Sequence, residues 1–355
     1  MRPATIAEAE ASWAARRPAQ TQVPRLDRTE TRLVPVCDLR LADARFAGAK
    51  AAQLGEVCGL GAPLHTPGGF SIPVAHYLDH LEARGVAIGI PQMLQDPTFR
   101  TDAQVRASRL AQVRTMIESA PVDPGLVRDV RRQIQRENRS ARWILRSSTN
   151  AEDLSGFTGA GLYRSIVIPA GATEAQIESA VREVWASVWL QGAYEEREWY
   201  RVDHAAVAMA VLAQPFVDGA TANGVAITAN PFYQARPGYY VNAQALGGSV
   251  TGAAGEEMPE QHLIYTYMAP EPYEYELLSR SSRNDGALLL TQLQLLELSS
   301  AFDRLHLHFV GDENRPRRWP EPVNAVDIEF LIANGHVVIV QARPYHVVYG
   351  PGQGW

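Results

Sequence analysis

Two apolar runs, residues 326–332 and 336–342, stand on either side of Asn334-Gly335. An Asn-Gly pair adopts the left-handed conformations of a type I′ turn at little cost, and that turn matches the twist of paired strands. The end of the chain therefore reads as an antiparallel hairpin. Upstream, short strands are expected at 33–38, 142–146, 163–168, 207–217, 223–230 and 238–245. Residues 51–57 have helical composition, Pro67 to Pro73 is a turn into an extended segment, and Ala75 to Arg84 reads as a helix. Residues 103–119 and 124–139 carry apolar side chains at spacings of three and four among many charges, the pattern of surface helices. Thr173 with Gln176 forms a capping box for a helix reaching about Leu190, and 286–310 reads as a long amphipathic helix. These elements alternate without a simple βαβ count. The expectation is an α+β protein with two lobes rather than a Rossmann sheet. The expected divisions are a tail or linker at 1–32, an N-terminal lobe at 33–204, a C-terminal lobe at 205–346 and a tail at 347–355.

Composition narrows the partners. The net charge is −6 with no basic block, which argues against nucleic acid or an anionic membrane. No apolar run reaches the roughly 18 residues of a membrane span, and the N-terminus lacks the apolar core of a secretory signal. Cys37 and Cys58 show neither metal-ligand nor CxxC spacing, so a reducing, cytoplasmic setting is expected. Of 33 basic residues, Lys50 is the only lysine. Arginine bias explains the others. An ammonium is a compact point charge where a guanidinium is a planar fork, so a tight phosphate contact is one place where Arg does not replace Lys.

Four constellations can carry chemistry. Gly48-Ala-Lys50 lies at a loop-to-helix junction, where small residues let the backbone approach an anion and the helix N-terminus favours it. Arg146-Ser-Ser-Thr-Asn-Ala-Glu-Asp-Leu154, followed by Gly156 to Gly161, can cover a triphosphate; an ordinary polar loop with Ser147 or Asn150 as a cap is the plainer alternative. In the hairpin, Asp327, Glu329, Gln341 and Arg343 can share a face. Buried in an apolar hairpin, they need pairing or a cation. Mg²⁺ on Glu329 and Gln341, or a Glu–Arg salt bridge across the strands, would satisfy them. Gln214-Pro-Phe-Val217 closes an apolar strand and can offer backbone groups to an adenine edge; an edge strand interrupted by proline is the plainer alternative. The nine histidines show no HExxH, no paired spacing and no Ser-His-Asp order.

Taken together and in order, these pieces resemble the nucleotide-binding domain shared by pyruvate phosphate dikinase, phosphoenolpyruvate synthase, rifampin phosphotransferase and the glucan, water dikinases. The motifs are Gly48 to Glu56, Pro67-Gly-Gly-Phe70, Arg146 to Asp153, Asp327-Ile-Glu329 and Gln341-Ala-Arg-Pro344, over roughly 33–346. The middle segments Gly159 to Tyr163, Val184 to Trp189, His204 to Leu212 and Thr228 to Pro231 look closest to the glucan, water dikinases. The resemblance implies a two-lobed ATP-grasp fold that uses ATP and Mg²⁺. It implies that Lys50, Arg146 and Arg343 contact phosphate, with Gly159 and Gly161 in the covering loop. Gln214 and the backbone of Phe216 and Val217 would face adenine, and Glu329 and Gln341 would hold Mg²⁺. Catalysis would rest mainly on positioning and charge neutralisation.

The chain also departs from the family pattern. Gly48-Ala49 replaces Gly-Gly, Ala245-Leu-Gly-Gly248 stands where GLGE is common, and Leu162-Tyr163 replaces the acidic-hydroxyl pair of the pyruvate enzymes. No histidine swivel motif of the GGxxSHxA kind occurs in these 355 residues, and a pyruvate-binding barrel is not expected within them. The expected activity is a dikinase-type phosphotransfer from ATP, with a histidine on a separate partner domain as acceptor. The alternatives are a free-standing kinase or ligase acting on a small molecule, and a nonenzymatic nucleotide-binding module. The final acceptor is not legible; Tyr163, Arg164 and 255–285 are candidates for shaping specificity.

Overall fold

The computed structural model describes residues 5–83, 85–152, 154, 157–159, 161–233, 235–248, 250, 257–266, 273–311 and 323–347. These form two compact units, the first of residues 1–52 with 68–216 and the second of 53–67 with 217–355, on the described parts of each. Helices and two antiparallel sheets make up an α+β architecture.

The first unit holds strands β1 (Val34–Pro35), β2 (Phe70–Ile72), β3 (Trp143–Thr149), β4 (Ser165–Ile168) and β5 (Met209–Pro215), in the order β1-β2-β5-β3-β4. Strand β5 is fully apolar through Ala213 because it is central, paired with β2 on one side and β3 on the other. As a central strand of this sheet, β5 lies wholly within the first unit, whose second segment runs to Phe216. The helices of this unit are α1 (Ile6–Arg16), α2 (Ala44–Ala47), α3 (Ala49–Gly59, which continues into the second unit), α4 (Val74–Ala83), α5 (Val86–Gln95), α6 (Pro97–Thr101), α7 (Ala103–Ser119), α8 (Pro124–Asn138), α9 (Glu174–Ala186) and α10 (Gln191–Trp199). The reciprocal Thr173–Gln176 capping box starts α9 as expected. That helix ends at Ala186, and Ser187–Trp189 tightens into a 3₁₀ turn. Helix α9 packs on β3, β4 and β5, and Trp185 and Trp189 are buried, with the Trp189 indole donating to the Tyr77 hydroxyl at 3.0 Å.

Part of the expected N-terminal tail is tied into this unit. Gln22 and Val202 form a parallel bridge, Asp203 N donates to Gln22 O at 2.8 Å, and Asn150 Nδ2 donates to Arg25 O at 3.0 Å.

The second unit holds β6 (Ala220–Ile227), β7 (Gly238–Ala245), β8 (Glu260–Tyr265), β9 (Glu274–Ser279), β10 (Val323–Ala333) and β11 (His336–Val347), in the order β11-β10-β6-β7-β8-β9. Strands β8 and β9 lie in the stretch that the sequence offered only as a specificity segment. Helix α11 (Gln292–Phe309) packs on β10 and β11 and buries Leu298, Phe302 and Leu305. It begins six residues later than expected. Thr291 caps it with Gln294, and the backbone N–H groups of Leu289 and Leu290 donate instead to the Glu260 carboxylate at 2.6 and 2.9 Å. An outside acceptor has taken the donors that a longer helix would have used. Among the described residues no helix is long and apolar enough to cross a membrane.

Neither cysteine is free, so the cysteines lend no support to a reducing setting.

Candidate functional site

In the first unit, chemistry gathers where α3 begins against the end of β3. Gly48 precedes the helix with φ 76° and ψ 162°. A Cβ there would lie 2.0 Å from the Ser148 backbone oxygen, so the chain passes this point only as glycine. Ser148 Oγ closes the junction, donating to Ala47 O at 3.0 Å and accepting from Ala51 N at 3.1 Å. The Gly48 and Ser148 positions of two separate motifs are thus one packing contact. Asn150 is structural as well: its amide donates to Arg25 O and Ala206 O, and its oxygen accepts from Ala208 N.

This junction places Lys50 in the first turn of α3, with its ammonium paired to the Glu152 carboxylate. Glu152 is almost wholly buried, and its other oxygen accepts from Thr149 N at 3.1 Å and Thr149 Oγ1 at 3.3 Å. Lys50 retains 14% exposure, so the pair is a buried carboxylate holding an ammonium that still meets solvent. An ammonium held in this way can exchange to a stronger anion without leaving its place. Glu152 lay within the expected motif but carried no role in the sequence reading; only the fold brings it back to a residue 102 positions earlier.

The polar cluster continues inward. Burial pushes the Tyr163 phenol up. Its oxygen accepts from Arg197 Nη1 at 3.1 Å. Arg197 has no exposed surface; it also donates to Val188 O at 2.7 Å and to His204 Nδ1 at 3.3 Å. Burial holds the His204 imidazole below its ordinary value, and its ring stacks on Tyr194 at 4.2 Å. Tyr163 is half-buried and tied through its hydroxyl to Arg197. No sequence signal marked Arg197, one arginine among many.

Arg146 lies on β3 opposite Leu212, and its Nη1 is 3.5 Å from Gln214 Oε1. Gln214 is buried and donates to Gly68 O at 3.2 Å, which anchors the Pro67-Gly-Gly-Phe70 turn. Phe216 N donates to Arg142 O, and the Arg142 guanidinium sits 4.2 Å over the Phe216 ring. Gly159 and Gly161 both have positive φ, and a Cβ on Gly159 would lie 2.9 Å from Glu152 Cγ. Of the expected covering loop, Asp153, Ser155, Gly156 and Ala160 lie outside the described residues. A cleft of about 490 Å³ lies elsewhere on this unit, lined by Arg100, Arg106, Tyr194, Glu195 and Glu198, and none of the Lys50 group lines it.

In the second unit, the hairpin turns at Asn334 (φ 53°) and Gly335 (φ 83°) as expected. Ala333 pairs with His336 and Phe330 with Ile339, but Glu329 pairs with Gln341, because the register shifts by one between Glu329 and Phe330. Beyond that bulge, Asp327 pairs with Arg343. Arg343 Nε and Nη2 donate to Asp327 Oδ2 at 2.9 and 2.6 Å. Burial, opposed by this arginine, raises the Asp327 carboxyl. A salt bridge across the strands thus joins Arg343 to Asp327. Glu329 and Gln341 stand directly opposite each other, one carboxylate and one amide oxygen, a donor set that suits a hard cation. Val217 opens this unit, half-buried before β6.

Residues 44–350 match the family model described as pyruvate phosphate dikinase, AMP/ATP-binding domain. The chain belongs to this family. It is similar to the phosphoenolpyruvate synthase of Aeropyrum pernix, 27% identical over 68% of this chain and 29% of that protein. The phosphoenolpyruvate synthase of Pyrococcus furiosus is 23% identical over 86% of the chain and 43% of its own length. A rifampicin phosphotransferase of a Streptomyces species is 24% identical over 89% of the chain and 36% of its own length. The chain thus spans less than half the length of these relatives. The matched region contains both the Lys50 junction and the Glu329–Gln341 pair, so both halves of the described chemistry belong to the family's nucleotide-binding domain.

Proposed function

We propose that this chain is an ATP-grasp phosphotransferase domain that draws phosphate from ATP in a dikinase-type reaction and passes it to a histidine on a separate partner domain. The observation that carries this reading is the buried Glu152 holding Lys50, the only lysine, at the head of α3 within a domain of the AMP/ATP-binding family. Lys50 exchanges Glu152 for nucleotide phosphate. Arg146 and Arg343 add charge to the phosphates, with Gly159 and Gly161 in the loop that covers them. Gln214 and the backbone of Phe216 and Val217 face adenine. Glu329 and Gln341 supply oxygen ligands for Mg²⁺, which would neutralise phosphate charge when bound. The protein's own part is positioning: fixed cations aimed at phosphate oxygens need no reorganisation as charge moves.

The test is ATP turnover followed for AMP, ADP and phosphate, with and without a candidate histidine-domain partner. AMP formation with partner phosphorylation is the expected result; ADP as the product with no phosphoprotein overturns it. A second reading, direct phosphorylation of a small molecule, draws support from the similarity to a rifampicin phosphotransferase over 89% of the chain. It requires turnover that depends on a small acceptor and not on a partner protein.

A further inference from the structure

Three residues that the nucleotide chemistry does not use converge in the second unit. His65 lies on the loop after α3, Glu297 on α11, and His336 at the first position of β11. One ligating atom from each lies within 4.8 Å of the others. His336 Nδ1 is 3.9 Å from Glu297 Oε1, and the two imidazoles are 5.9 Å apart at an interplanar angle of 58°.

The backbones that carry them are held in place. Ile339 N donates to His65 O at 2.8 Å, which fastens the loop to β11 three residues from His336. Arg304 of α11 donates to Leu60 O at 2.7 Å and to Ala62 O at 2.6 Å, fastening the same loop to the helix. Gln294, one turn before Glu297, donates to Gly335 O at 3.3 Å and fixes the helix to the hairpin turn. His65 and Glu297 line a cleft of about 320 Å³ whose walls include Leu293, Leu296 and Val337.

We propose that His65, Glu297 and His336 form a binding site for a first-row transition dication of the Zn²⁺ type. Two imidazoles and one carboxylate are borderline donors that suit Zn²⁺, whereas Mg²⁺ and Ca²⁺ prefer a shell of oxygens. With Zn–N and Zn–O bonds of about 2.0–2.2 Å, tetrahedral ligand atoms stand roughly 3.3–3.6 Å apart. Small side-chain rotations close the present gaps, because the main chains are already fastened to one another. Three protein ligands leave a fourth position for water. The ion would staple the 60–65 loop and α11 to the hairpin that carries Glu329 and Gln341. The site is independent of the nucleotide reading.

The test uses the full untagged chain, treated with chelator and titrated with Zn²⁺ alone by calorimetry and with Co²⁺ alone by visible absorption. The expected result is one ion per chain at micromolar affinity or better, with a rise in Tm. His65→Ala, His336→Ala and Glu297→Gln should each weaken Zn²⁺ binding tenfold or more while keeping the far-UV spectrum, and excess Mg²⁺ should not displace it. The proposal is overturned if the wild-type chain binds no Zn²⁺ at micromolar concentration. It is equally overturned if the His65→Ala/His336→Ala double variant binds as well as wild type, or if binding is lost in Glu329→Gln and kept in His65→Ala.

Discussion

Substituting Gly48 by alanine separates two explanations of the Gly48-Ala-Lys50 motif. If the glycine serves only to let a phosphate approach, Gly48→Ala weakens ATP binding and leaves the nucleotide-free protein as stable as before. The structure points to the opposite. The backbone at φ 76°, ψ 162° lies in a region that is essentially restricted to glycine, and a side chain forced into it costs about 1–3 kcal/mol. The new methyl would also sit 2.0 Å from the Ser148 carbonyl oxygen, and pushing apart a strand end and a helix start adds roughly 1–3 kcal/mol of overpacking. Together the loss is about 2–6 kcal/mol, a large fraction of the roughly 5–15 kcal/mol that holds an ordinary domain folded. Denaturant unfolding of the nucleotide-free protein, followed by the fluorescence of the buried Trp143, Trp185 and Trp189, reads the first unit directly. The midpoint should fall with little change in slope. A loss below about 1 kcal/mol would refute the packing account of Gly48.

Other consequences are as specific. Glu152→Gln keeps the shape but removes the charge opposite Lys50; stability should drop by about 1–3 kcal/mol, and denaturation showing no loss would mean the pair holds nothing together. Burial keeps His204 and His306 below the ordinary imidazole value of 6.5. The unfolded chain then binds more protons than the folded one just below pH 6.5. Their contribution is therefore complete above that pH and is lost as pH falls through the lowered folded values. Urea unfolding at a series of pH values should show this decline above the carboxylate range, and a flat profile there would contradict it. Gly224→Ala would bring a Cβ within 2.1 Å of Phe330 Cζ in the middle of the second sheet, which should cost roughly 1–3 kcal/mol in thermal or denaturant unfolding. An unchanged midpoint would show that the ring can move aside.

Much of the fold is legible in sequence because it rests on local chemistry. The Asn334-Gly335 turn, the Thr173–Gln176 cap and the surface helices after Asp102 and Asp123 need only a few neighbouring residues, and each stands where expected. What was not legible depends on distant partners. Strands β8 and β9 carry Glu and Tyr that the sequence marked as specificity residues; their pairing with β7 and with each other makes them sheet. The late start of α11 depends on Glu260, some 30 residues earlier. The cluster of His65, Glu297 and His336 has no spacing to detect, since its members are brought together only by the folding of a loop, a helix and a hairpin.

The candidate nucleotide chemistry divides along the same line. By itself the sequence determined which residue types were available: one lysine after a glycine at a helix start, an arginine at a strand end, and acidic and amide groups on the two arms of a hairpin. Tertiary structure decided what each of them meets. With the register set by the turn, Glu329 would face residue 340 and Gln341 would point to the other side of the sheet, because side chains alternate along a strand. The one-residue shift between Glu329 and Phe330 brings Gln341 opposite Glu329 and Arg343 opposite Asp327. In the same way, the Gly48 position, open in sequence to a phosphate role, is filled by the Ser148 backbone, and Lys50 is met by a carboxylate 102 residues away. Local patterns fix what a backbone can do next; only the closing of the chain on itself decides which charges meet.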